Sequence, residues 1–157
     1  MEENIKKDIS RARAGELEVG AFIEKFFFRY FGELEHSEGY NPKGDLYSKK
    51  LKQYIEVKED FMVDDTDNFF IEVNALLKTE SPIWCFMDKG FYYFVRKEKL
   101  DAYIDNDSYP ATYGGDGKRF KGKLIKRKNL WAMSKVYPRN WKEDEEWFKT
   151  YVLGGAL

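Results

Sequence analysis

Hydrophobic residues recur at the spacing of an amphipathic helix in three parts of the chain. The first pattern predicts a long helix from Ile9 to Phe31, which ends at Gly32, a residue type that commonly terminates helices. The second predicts a helix over "KEKLDAYID", residues 97–105. The third predicts a helix over residues 140–153 with Asn140 as its N-cap. Helices are therefore expected near both ends of the chain and between them.

Short runs rich in aromatic and β-branched residues predict strands between these helices. We predict four such strands, which cover residues 44–48, 53–58, 68–73 and 91–97. The basic segment from Lys49 to Lys52 is predicted to be the turn of a hairpin, and the acidic segment from Asp64 to Asp67 a loop. A short helix is predicted from Ser81 to Gly90, because Pro82 suits the first position of a helix.

The order of these elements predicts the fold class. The predicted order is helix, three strands, short helix, strand and helix. This order is typical of an α/β (α+β) protein with a mixed central sheet of about four to five strands, flanked by helices. The chain has 157 residues, which suits a single domain spanning residues 1–157. The glycine-rich segment from Ser108 to Phe120 is predicted to be a mobile loop.

Charge is distributed unevenly, although the net charge of −1 does not itself indicate a nucleic-acid-binding protein. Seven cations and no acids lie between residues 118 and 128: Lys118, Arg119, Lys121, Lys123, Lys126, Arg127 and Lys128. If they share one surface, they form a patch that contacts phosphates. The alternative is a lysine-rich edge strand that prevents aggregation. Both interpretations remain open from the sequence.

The single cysteine and the single histidine limit which covalent links and metal sites the chain can form. Cys85 is the only cysteine and His36 the only histidine, so an internal disulfide and a classical zinc cluster are both excluded. Any metal site must therefore use oxygen ligands. The first residues contain no apolar signal-peptide region, and no apolar run is long enough to span a membrane. We expect a cytoplasmic protein that does not associate with membranes.

Glu24 is a carboxylate within an apolar stripe of the first predicted helix. At 100° per residue, Glu24 lies about 240° from the charged edge marked by Glu18 and Lys25, among Leu17, Ala21 and Phe28. An unpaired buried carboxylate is expensive, so it is expected to be protonated, paired with a cation or bound to a metal. The alternative is a position at the rim of the helix, where the side chain reaches water.

The predicted hairpin brings two further carboxylates together. If the turn lies near Lys50, Asp45 lies opposite Glu56, with their Cβ atoms about 4.5–5.5 Å apart. Like charges at this distance repel one another unless a cation lies between them, and Mg²⁺ binds to one or two carboxylates. Glu56 and Lys58 share one face of their strand. The alternative is an ordinary hairpin with one solvated face.

These residues resemble the signature of the PD-(D/E)XK nuclease superfamily. The superfamily has an Asp at the start of one strand and a Glu or Asp, any residue and a Lys on the next; here these are Asp45 and Glu56-Val57-Lys58. The segment "NPKGD", residues 41–45, stands where the superfamily often has Pro-Asp. The segment "GAFIE", residues 20–24, has the form of its helical Glu. The likeness covers roughly residues 15–104, and its downstream part is similar to small phage-type members.

The resemblance implies a restriction-endonuclease-like core and a metal-dependent nuclease. Asp45, Glu56, Glu24 and the Val57 carbonyl are expected to hold Mg²⁺ or Mn²⁺, with Lys58 beside the scissile phosphate. Glu72, which shares a strand face with Phe70 and Asn74, is a further candidate acid, and the alternative is a solvated glutamate on an edge strand. The implied partner is DNA, including branched DNA such as a Holliday junction, and a homodimer is expected because two symmetric sites cut two strands simply.

Two other functional classes remain as alternatives from the sequence. The first is a catalytically inactive nuclease-fold protein that binds nucleic acid or a protein partner. The second is a structural or regulatory domain in which the motif arises by chance. The complete set of Asp45, Glu56 and Lys58 favours an endonuclease of phage-type recombination, repair or restriction, because a protein that only binds has no need of a repulsive carboxylate pair.

Overall fold

A computed structural model of the chain describes residues 2–106, 111–114 and 120–155. The helices are α1 Glu2–Phe26, α2 Phe28–Phe31, α3 Val63–Thr66, α4 Val73–Lys78, α5 Lys97–Ile104, α6 Arg127–Met133 and α7 Glu145–Gly155. The strands are β1 Leu34–His36, β2 Leu46–Ser48, β3 Gln53–Glu59, β4 Asn68–Glu72, β5 Ile83–Met87, β6 Phe91–Arg96, β7 Thr112–Gly114, β8 Phe120–Lys126 and β9 Lys135–Pro138.

The strands form two sheets. The larger has six strands in the order β1-β2-β3-β5-β6-β9, and the smaller has three in the order β4-β8-β7. In the larger sheet β3 and β5 run parallel, whereas the other neighbouring strands run antiparallel. The predicted α/β (α+β) class with a mixed sheet is therefore confirmed. The sheet has six strands rather than four to five because β1, β5 and β9 were not predicted as strands, whereas the strand predicted at residues 68–73 is β4 of the smaller sheet.

Each face of the six-stranded sheet is covered by its own layer of apolar side chains. Phe22 of α1 and Phe148 of α7 pack on one face, where Tyr92 belongs to the same cluster. On the opposite face, Phe69 of β4 and Leu130 of α6 belong to a second cluster. The sheet is thus the middle layer between helices on one side and the smaller sheet with its helices on the other.

The segment predicted to be a short helix from Ser81 to Gly90 instead contains β5. Trp84, Cys85, Phe86 and Met87 are all buried, because β5 lies inside the sheet and both of its faces are covered. A strand buried on both faces reads as a continuous apolar run without alternation, so its sequence does not separate it from a buried helix. The helical prediction was wrong for this reason.

The other predicted elements differ from the structure mainly at their ends. The long N-terminal helix is interrupted at Phe27, and Gly32 ends α2 with a φ of +66°. The acidic segment predicted to be a loop forms the single turn of α3. At the C-terminal end a 3₁₀ turn precedes α7, and Asp144 rather than Asn140 caps that helix, because its Oδ1 accepts a hydrogen bond from the Trp147 N–H at 3.1 Å.

The segment predicted to be a mobile glycine-rich loop is only partly covered by the described residues. Its described part contributes β7, which pairs with β8, and residues 107–110 and 115–119 lie outside the described part. None of the helices in the described ranges is long and apolar enough to cross a membrane.

Arg139 connects the N-terminal helix to the sheet. Its Nη2 lies 2.8 Å from Glu18 Oε1 on α1, and its Nη1 lies 3.0 Å from Glu59 Oε2 at the end of β3. The side chain of Arg139 is largely buried, so these charge-assisted bonds hold α1 against β3 in a water-poor environment. This contact fixes the position of the helix close to the end of β3.

Candidate active site

The hairpin of β2 and β3 has the predicted register. Leu46 pairs with Ile55, so the preceding residue, Asp45, lies opposite Glu56. The Asp45 N–H donates to the Ile55 carbonyl at 3.0 Å, and Asp45 Oδ2 accepts a hydrogen bond from the Val57 N–H at 2.8 Å. The carboxylate of Asp45 is therefore held by the backbone of the strand that carries Glu56. The predicted register of the hairpin is confirmed.

Gly44 allows the chain to approach its neighbours closely just before Asp45. A Cβ atom at this position would lie 2.6 Å from the Tyr54 Cβ, a distance that side chains do not tolerate. The preceding carbonyl, of Lys43, accepts a hydrogen bond from Ser81 Oγ at 2.8 Å. The start of β2 is thus fixed on both sides, which determines where the Asp45 carboxylate lies.

Glu56 and Lys58 form an ion pair that satisfies only one oxygen of the carboxylate. Lys58 Nζ lies 3.0 Å from Glu56 Oε1. The Glu56 side chain is 10% exposed and that of Lys58 is 42% exposed, so the glutamate is the more deeply buried partner. Among the described residues, Glu56 Oε2 is one of four buried side-chain polar atoms without a hydrogen-bond partner. A buried acceptor in this state is expensive unless a further group binds to it.

The acid that α1 brings to this pair is Glu16. Glu16 and Asp45 line the same cleft, and the neighbouring Asp45 carboxyl raises the pKa of Glu16 in addition to the effect of burial. Gly15 allows the close approach, since a Cβ atom there would lie 3.0 Å from both Glu59 Oε1 and Met87 Cε. The three carboxyl groups of the site thus come from one helix and the two strands of the hairpin.

The expectation that Glu24 joins Asp45 and Glu56 was wrong. Glu24 lies eight residues after Glu16, about 12 Å further along the helix. Its Oε1 accepts a hydrogen bond from the Leu34 N–H at 2.9 Å, at the start of β1. The stripe predicted around Glu24 is not the buried face of the helix, because Leu17 is 48% exposed and Phe28 is 56% exposed. Its partner is a backbone N–H group rather than the two carboxylates.

A cleft of about 250 Å³ contains most of the predicted site. Asp45, Glu56, Val57, Lys58 and Glu72 line it, as predicted for the motif and for the additional acid. Residues that were not predicted complete the lining: Ala12, Glu16, Tyr40, Asn41, Pro42, Glu59, Phe61, Asn74, Ala75 and Lys78. The cleft therefore lies between α1, the hairpin, the end of β4 and α4.

Burial makes the carboxyl groups of the cleft weak acids. Burial raises the pKa of Glu56 to about 7, and the neighbouring Asp45 acts in the same direction against the opposing effect of Lys58. Burial, with a further contribution from Asp45, also raises the pKa of Glu16 to about 7. Burial raises the pKa of Asp45 as well, although the Val57 N–H and Lys58 oppose it. Near neutral pH the site therefore retains protons that a cation can displace.

Lys58 is stabilised in its charged form by the same carboxylates. Burial lowers its pKa, but the Glu56 carboxylate outweighs this effect, with further contributions from Asp45 and Glu72, so the pKa of Lys58 is raised above its ordinary value. The Lys58 ammonium also lies 5.9 Å from the centre of the Trp84 ring. Lys58 thus places a fixed positive charge among the acids of the cleft.

The donor set suits a hard divalent cation, although the side chains are not arranged as a complete cage. Within the described residues, no group of three or more Asp, Glu, His or Cys side chains is positioned to hold a metal ion. Mg²⁺ typically binds to one or two carboxylates and keeps several waters, so a complete cage is not required. The partnerless Glu56 Oε2 beside Asp45 is the kind of acceptor that such an ion uses. The residues present therefore fit Mg²⁺ or Mn²⁺.

The basic run does not form one surface. Lys118 and Arg119 lie outside the described residues. On β8, Lys121 and Lys123 lie on one face and Lys126 on the other, because side chains alternate along a strand. Lys123 is 8% exposed, and its Nζ donates a hydrogen bond to the Asn106 carbonyl at 2.8 Å. The cations of this segment are therefore divided between two environments.

Arg127 is bound by acidic side chains of the protein itself. It forms ion pairs with Asp64 at 3.4 Å, Asp67 at 3.0 Å and Asp88 at 3.6 Å, and its Nη2 donates to the Val63 carbonyl at 2.6 Å. The next residue, Lys128, is exposed on α6. The interpretation of the run as a protective edge strand was also wrong, because β8 lies between β4 and β7 in the smaller sheet.

A comparison of the chain with protein-family models, with curated proteins and with solved structures finds no match of any of the three kinds. The interpretation of the site therefore depends on the geometry and charges described above. The most important residue that the sequence reasoning missed is Glu16. Its signal was present, because Glu16 lies three residues before Val19 and so extends the buried stripe of α1 toward its N-terminus.

Proposed function

We propose that this protein is a metal-dependent nuclease that hydrolyses DNA phosphodiester bonds, and that it acts as an endonuclease in phage-type recombination, repair or restriction. The observation that carries the proposal is the pairing of Asp45 with Glu56 in one cleft, where Glu56 Oε2 is buried without a hydrogen-bond partner and Lys58 lies alongside. An ordinary solvated hairpin has no reason to place a buried carboxyl group beside a half-buried one.

The residues that would hold Mg²⁺ or Mn²⁺ are Asp45, Glu56 and the Val57 carbonyl, with Glu16 as the acid from α1. Such an ion, when bound, lowers the pKa of a water molecule and neutralises charge that develops on the scissile phosphate. The acids around the cleft would repel a phosphate by themselves. A site of this composition is therefore suited to a phosphate substrate only together with a cation.

Two side chains of the protein, Lys58 and Glu16, would act on the attacking water and the phosphate. The ammonium of Lys58 is a point charge that can orient an attacking water or stabilise negative charge on a phosphate oxygen. The Glu16 carboxyl, with a pKa of about 7, can accept or donate a proton near neutral pH. Asp45 is held by the Val57 N–H, which keeps its carboxylate in one orientation.

The order of elements around the cleft supports the resemblance to the PD-(D/E)XK superfamily. A helix with an acid, α1, precedes an antiparallel hairpin, β2 and β3, whose second strand pairs in parallel with β5. The signature residues Asp45, Glu56 and Lys58 lie on this hairpin and line one cleft. The helical acid of the resemblance is then supplied by Glu16 in place of Glu24.

The proposal is tested by incubating the protein with supercoiled plasmid, a single strand and a four-way junction in the presence of Mg²⁺ or Mn²⁺. We expect cleavage that EDTA abolishes and that Lys58→Met reduces by about 100-fold or more. Lys135→Met is the matched control, because Lys135 is an exposed lysine of β9 that does not line the cleft. Cleavage that is equal in Lys58→Met and the wild type would remove Lys58 from the mechanism.

The catalytically inactive nuclease-fold protein is the second candidate. It is favoured by the lack, within the described residues, of three side chains already arranged around a metal. This candidate predicts that DNA or a protein partner binds to the chain while no substrate is cleaved with either metal. The same set of incubations therefore separates the two functions.

A further inference from the structure

Two exposed aromatic side chains line the cleft that contains the acids. Tyr40 is 86% exposed and Phe61 is 51% exposed, and both belong to the lining of the cleft that also contains Asp45 and Glu56. Large aromatic rings are normally buried, because burial of a ring removes apolar surface from water. Exposed rings beside a polar site are therefore candidates for contact with a ligand.

Phe61 is held in its exposed position by neighbouring groups. The carboxylate of Asp60 accepts hydrogen bonds from the Met62 N–H at 2.9 Å and from the Phe70 N–H at 3.3 Å, which attaches the loop to β4. The guanidinium carbon of Arg11 on α1 lies 5.3 Å from the centre of the Phe61 ring. This ring is thus supported from the side of α1, and much of its surface remains open.

Tyr40 lies on the loop between β1 and β2, which has its own fixed contacts. Ser37 Oγ donates a hydrogen bond to the Gly44 carbonyl at 3.0 Å, and Asn41 Oδ1 accepts one from the Lys43 N–H at 3.0 Å. Gly39 has a φ of +69°, a conformation that glycine adopts without strain. The loop that ends at Asp45 therefore carries Tyr40 at the edge of the cleft.

Cations lie around the same opening, beside the carboxyl groups that line the cleft: Glu16, Asp45, Glu56, Glu59 and Glu72. Lys78 of α4 lines the cleft and is exposed, and Lys58 reaches into it with a side chain that is 42% exposed. Arg11 adds a further charge next to Phe61. Aromatic rings interleaved with cations are the surface that proteins use for single strands, in which bases stack on rings and phosphates meet the cations.

We infer that the cleft takes DNA as an unpaired strand, whose bases stack on Tyr40 and Phe61 while its backbone reaches Asp45 and Glu56. The assignment of the backbone to the acids rests on the proposed nuclease function, whereas the stacking does not. In a duplex the faces of the bases are covered by their neighbours, so exposed rings have no base face to contact. An unpaired strand, a flap or the single-stranded part of a branched substrate presents these faces.

Binding is tested with a fluorescent oligothymidylate strand and with a duplex of equal length, by fluorescence anisotropy with Ca²⁺ and a check that the strand stays intact. We expect Tyr40→Ala and Phe61→Ala each to weaken binding of the single strand by about 5- to 150-fold. The matched controls are Tyr30→Ala and Phe28→Ala, because these rings are 63% and 56% exposed and lie on α2 outside the cleft. The controls are expected to bind within twofold of the wild type.

Cleavage of the same two substrates with Mn²⁺ separates this inference from the proposed function. Faster cleavage of the single strand than of the duplex, with loss in Tyr40→Ala and Phe61→Ala, supports both. Cleavage of the duplex at an equal rate, with both variants unchanged, overturns the inference and leaves the nuclease in place. Tight binding of the strand that depends on the two rings, without any cleavage, supports the inference and overturns the nuclease.

Discussion

Asp45 and Glu56 lie side by side on neighbouring strands, and each carboxylate is held by a different kind of partner. Asp45 Oδ2 accepts a hydrogen bond from the Val57 N–H, whereas Glu56 Oε1 pairs with Lys58 and its Oε2 lies buried without a partner. The two residues are therefore held close together, although their charged carboxylates would repel one another. One neutral residue in place of either would remove the repulsion between the charged forms, which is why we propose that a cation binds between them.

Neutralising either carboxylate is expected to separate activity from stability. Asp45→Asn and Glu56→Gln should each reduce metal-dependent cleavage by about 100-fold or more, because several kcal/mol of stabilisation are lost with the ion. Without metal, Glu56→Gln should melt at a higher temperature than the wild type at pH 8, because a buried charge is removed.

The control for this pair is Glu98→Gln, since Glu98 is an exposed carboxylate in the first turn of α5. It should leave cleavage unchanged and have little effect on the melting temperature. A wild-type rate in Glu56→Gln would exclude this residue from the chemistry.

Glu16 and Glu24 form a second matched pair, on the same helix. Glu16→Gln should lower cleavage by about tenfold or more, because the residue lines the cleft together with Asp45 and has a pKa of about 7. Glu24→Gln should leave cleavage within twofold and lower the free energy of unfolding by about 1 kcal/mol, since its hydrogen bond from the Leu34 N–H loses the charged acceptor. Cleavage rates and urea denaturation measure the two effects. The reverse pattern would restore Glu24 to the site.

The metal-free protein should lose stability as the pH rises from about 4.5 to 7. In the folded state Glu16 and Glu56 each have a pKa of about 7, compared with an ordinary value of 4.5. Between these values the folded state binds more protons than the unfolded state, so the free energy of unfolding falls with rising pH and levels off above 7. The expected loss is about 1 to 3 kcal/mol, because the two groups are coupled and share their protons.

Urea denaturation at pH 5 and at pH 8 measures this loss. Glu16→Gln should reduce the difference between the two pH values, and Mg²⁺ should restore more stability at pH 8 than at pH 5, because the ion replaces protons. If the free energy of unfolding instead rises from pH 5 to pH 8, and the rise depends on Glu16, the carboxyl groups are not held protonated in the folded state.

The basic run should divide into structural and DNA-contacting residues. Arg127→Ala should lower the free energy of unfolding by about 3 to 5 kcal/mol, because it removes a cation beside the buried Asp88. Lys121→Ala and Lys126→Ala, at exposed positions of β8, should leave stability nearly unchanged. If either lysine contacts phosphate, its replacement should reduce the slope of binding against salt by roughly one unit. Equal stability of all three variants would contradict this division.

The hairpin could be predicted from the sequence because its information is local. The turn from Lys49 to Lys52 and the alternation on either side fix the register, and the register alone places Asp45 opposite Glu56. The same reasoning does not reach β5, whose partner β3 is separated from it by β4 and two short helices. Its apolar run is explained by burial on both faces, which depends on the completed fold.

The helical acid shows a different limit of sequence reasoning. Helical periodicity gives the angle of a side chain about the axis, but the stripe chosen around Glu24 is exposed, and the buried face of α1 instead carries Val19, Phe22 and Ile23. The level at which α1 crosses the hairpin depends on the close contact at Gly15 and on the ion pairs of Arg139 with Glu18 and Glu59. These contacts join residues more than 40 positions apart. They place Glu16 rather than Glu24 beside Asp45.

The prediction that the basic run from Lys118 to Lys128 forms one patch was wrong, because residues that are close in sequence do not all lie on one surface. Strand alternation separates Lys121 and Lys123 from Lys126, and Arg127 is committed to three aspartates. The exposed rings at Tyr40 and Phe61 gave no signal by composition, because a chain with 18% aromatic residues buries most of its rings. Their position became informative only beside the cleft.

The most direct test of the proposed metal site is a crystal of the protein soaked in Mn²⁺ and measured for anomalous scattering. We predict an anomalous peak in the cleft, bound by the carboxylates of Asp45 and Glu56, and loss of this peak in Glu56→Gln. A Mn²⁺-soaked crystal that diffracts well and contains no peak between these two carboxylates would contradict the metal site, and with it the proposed nuclease.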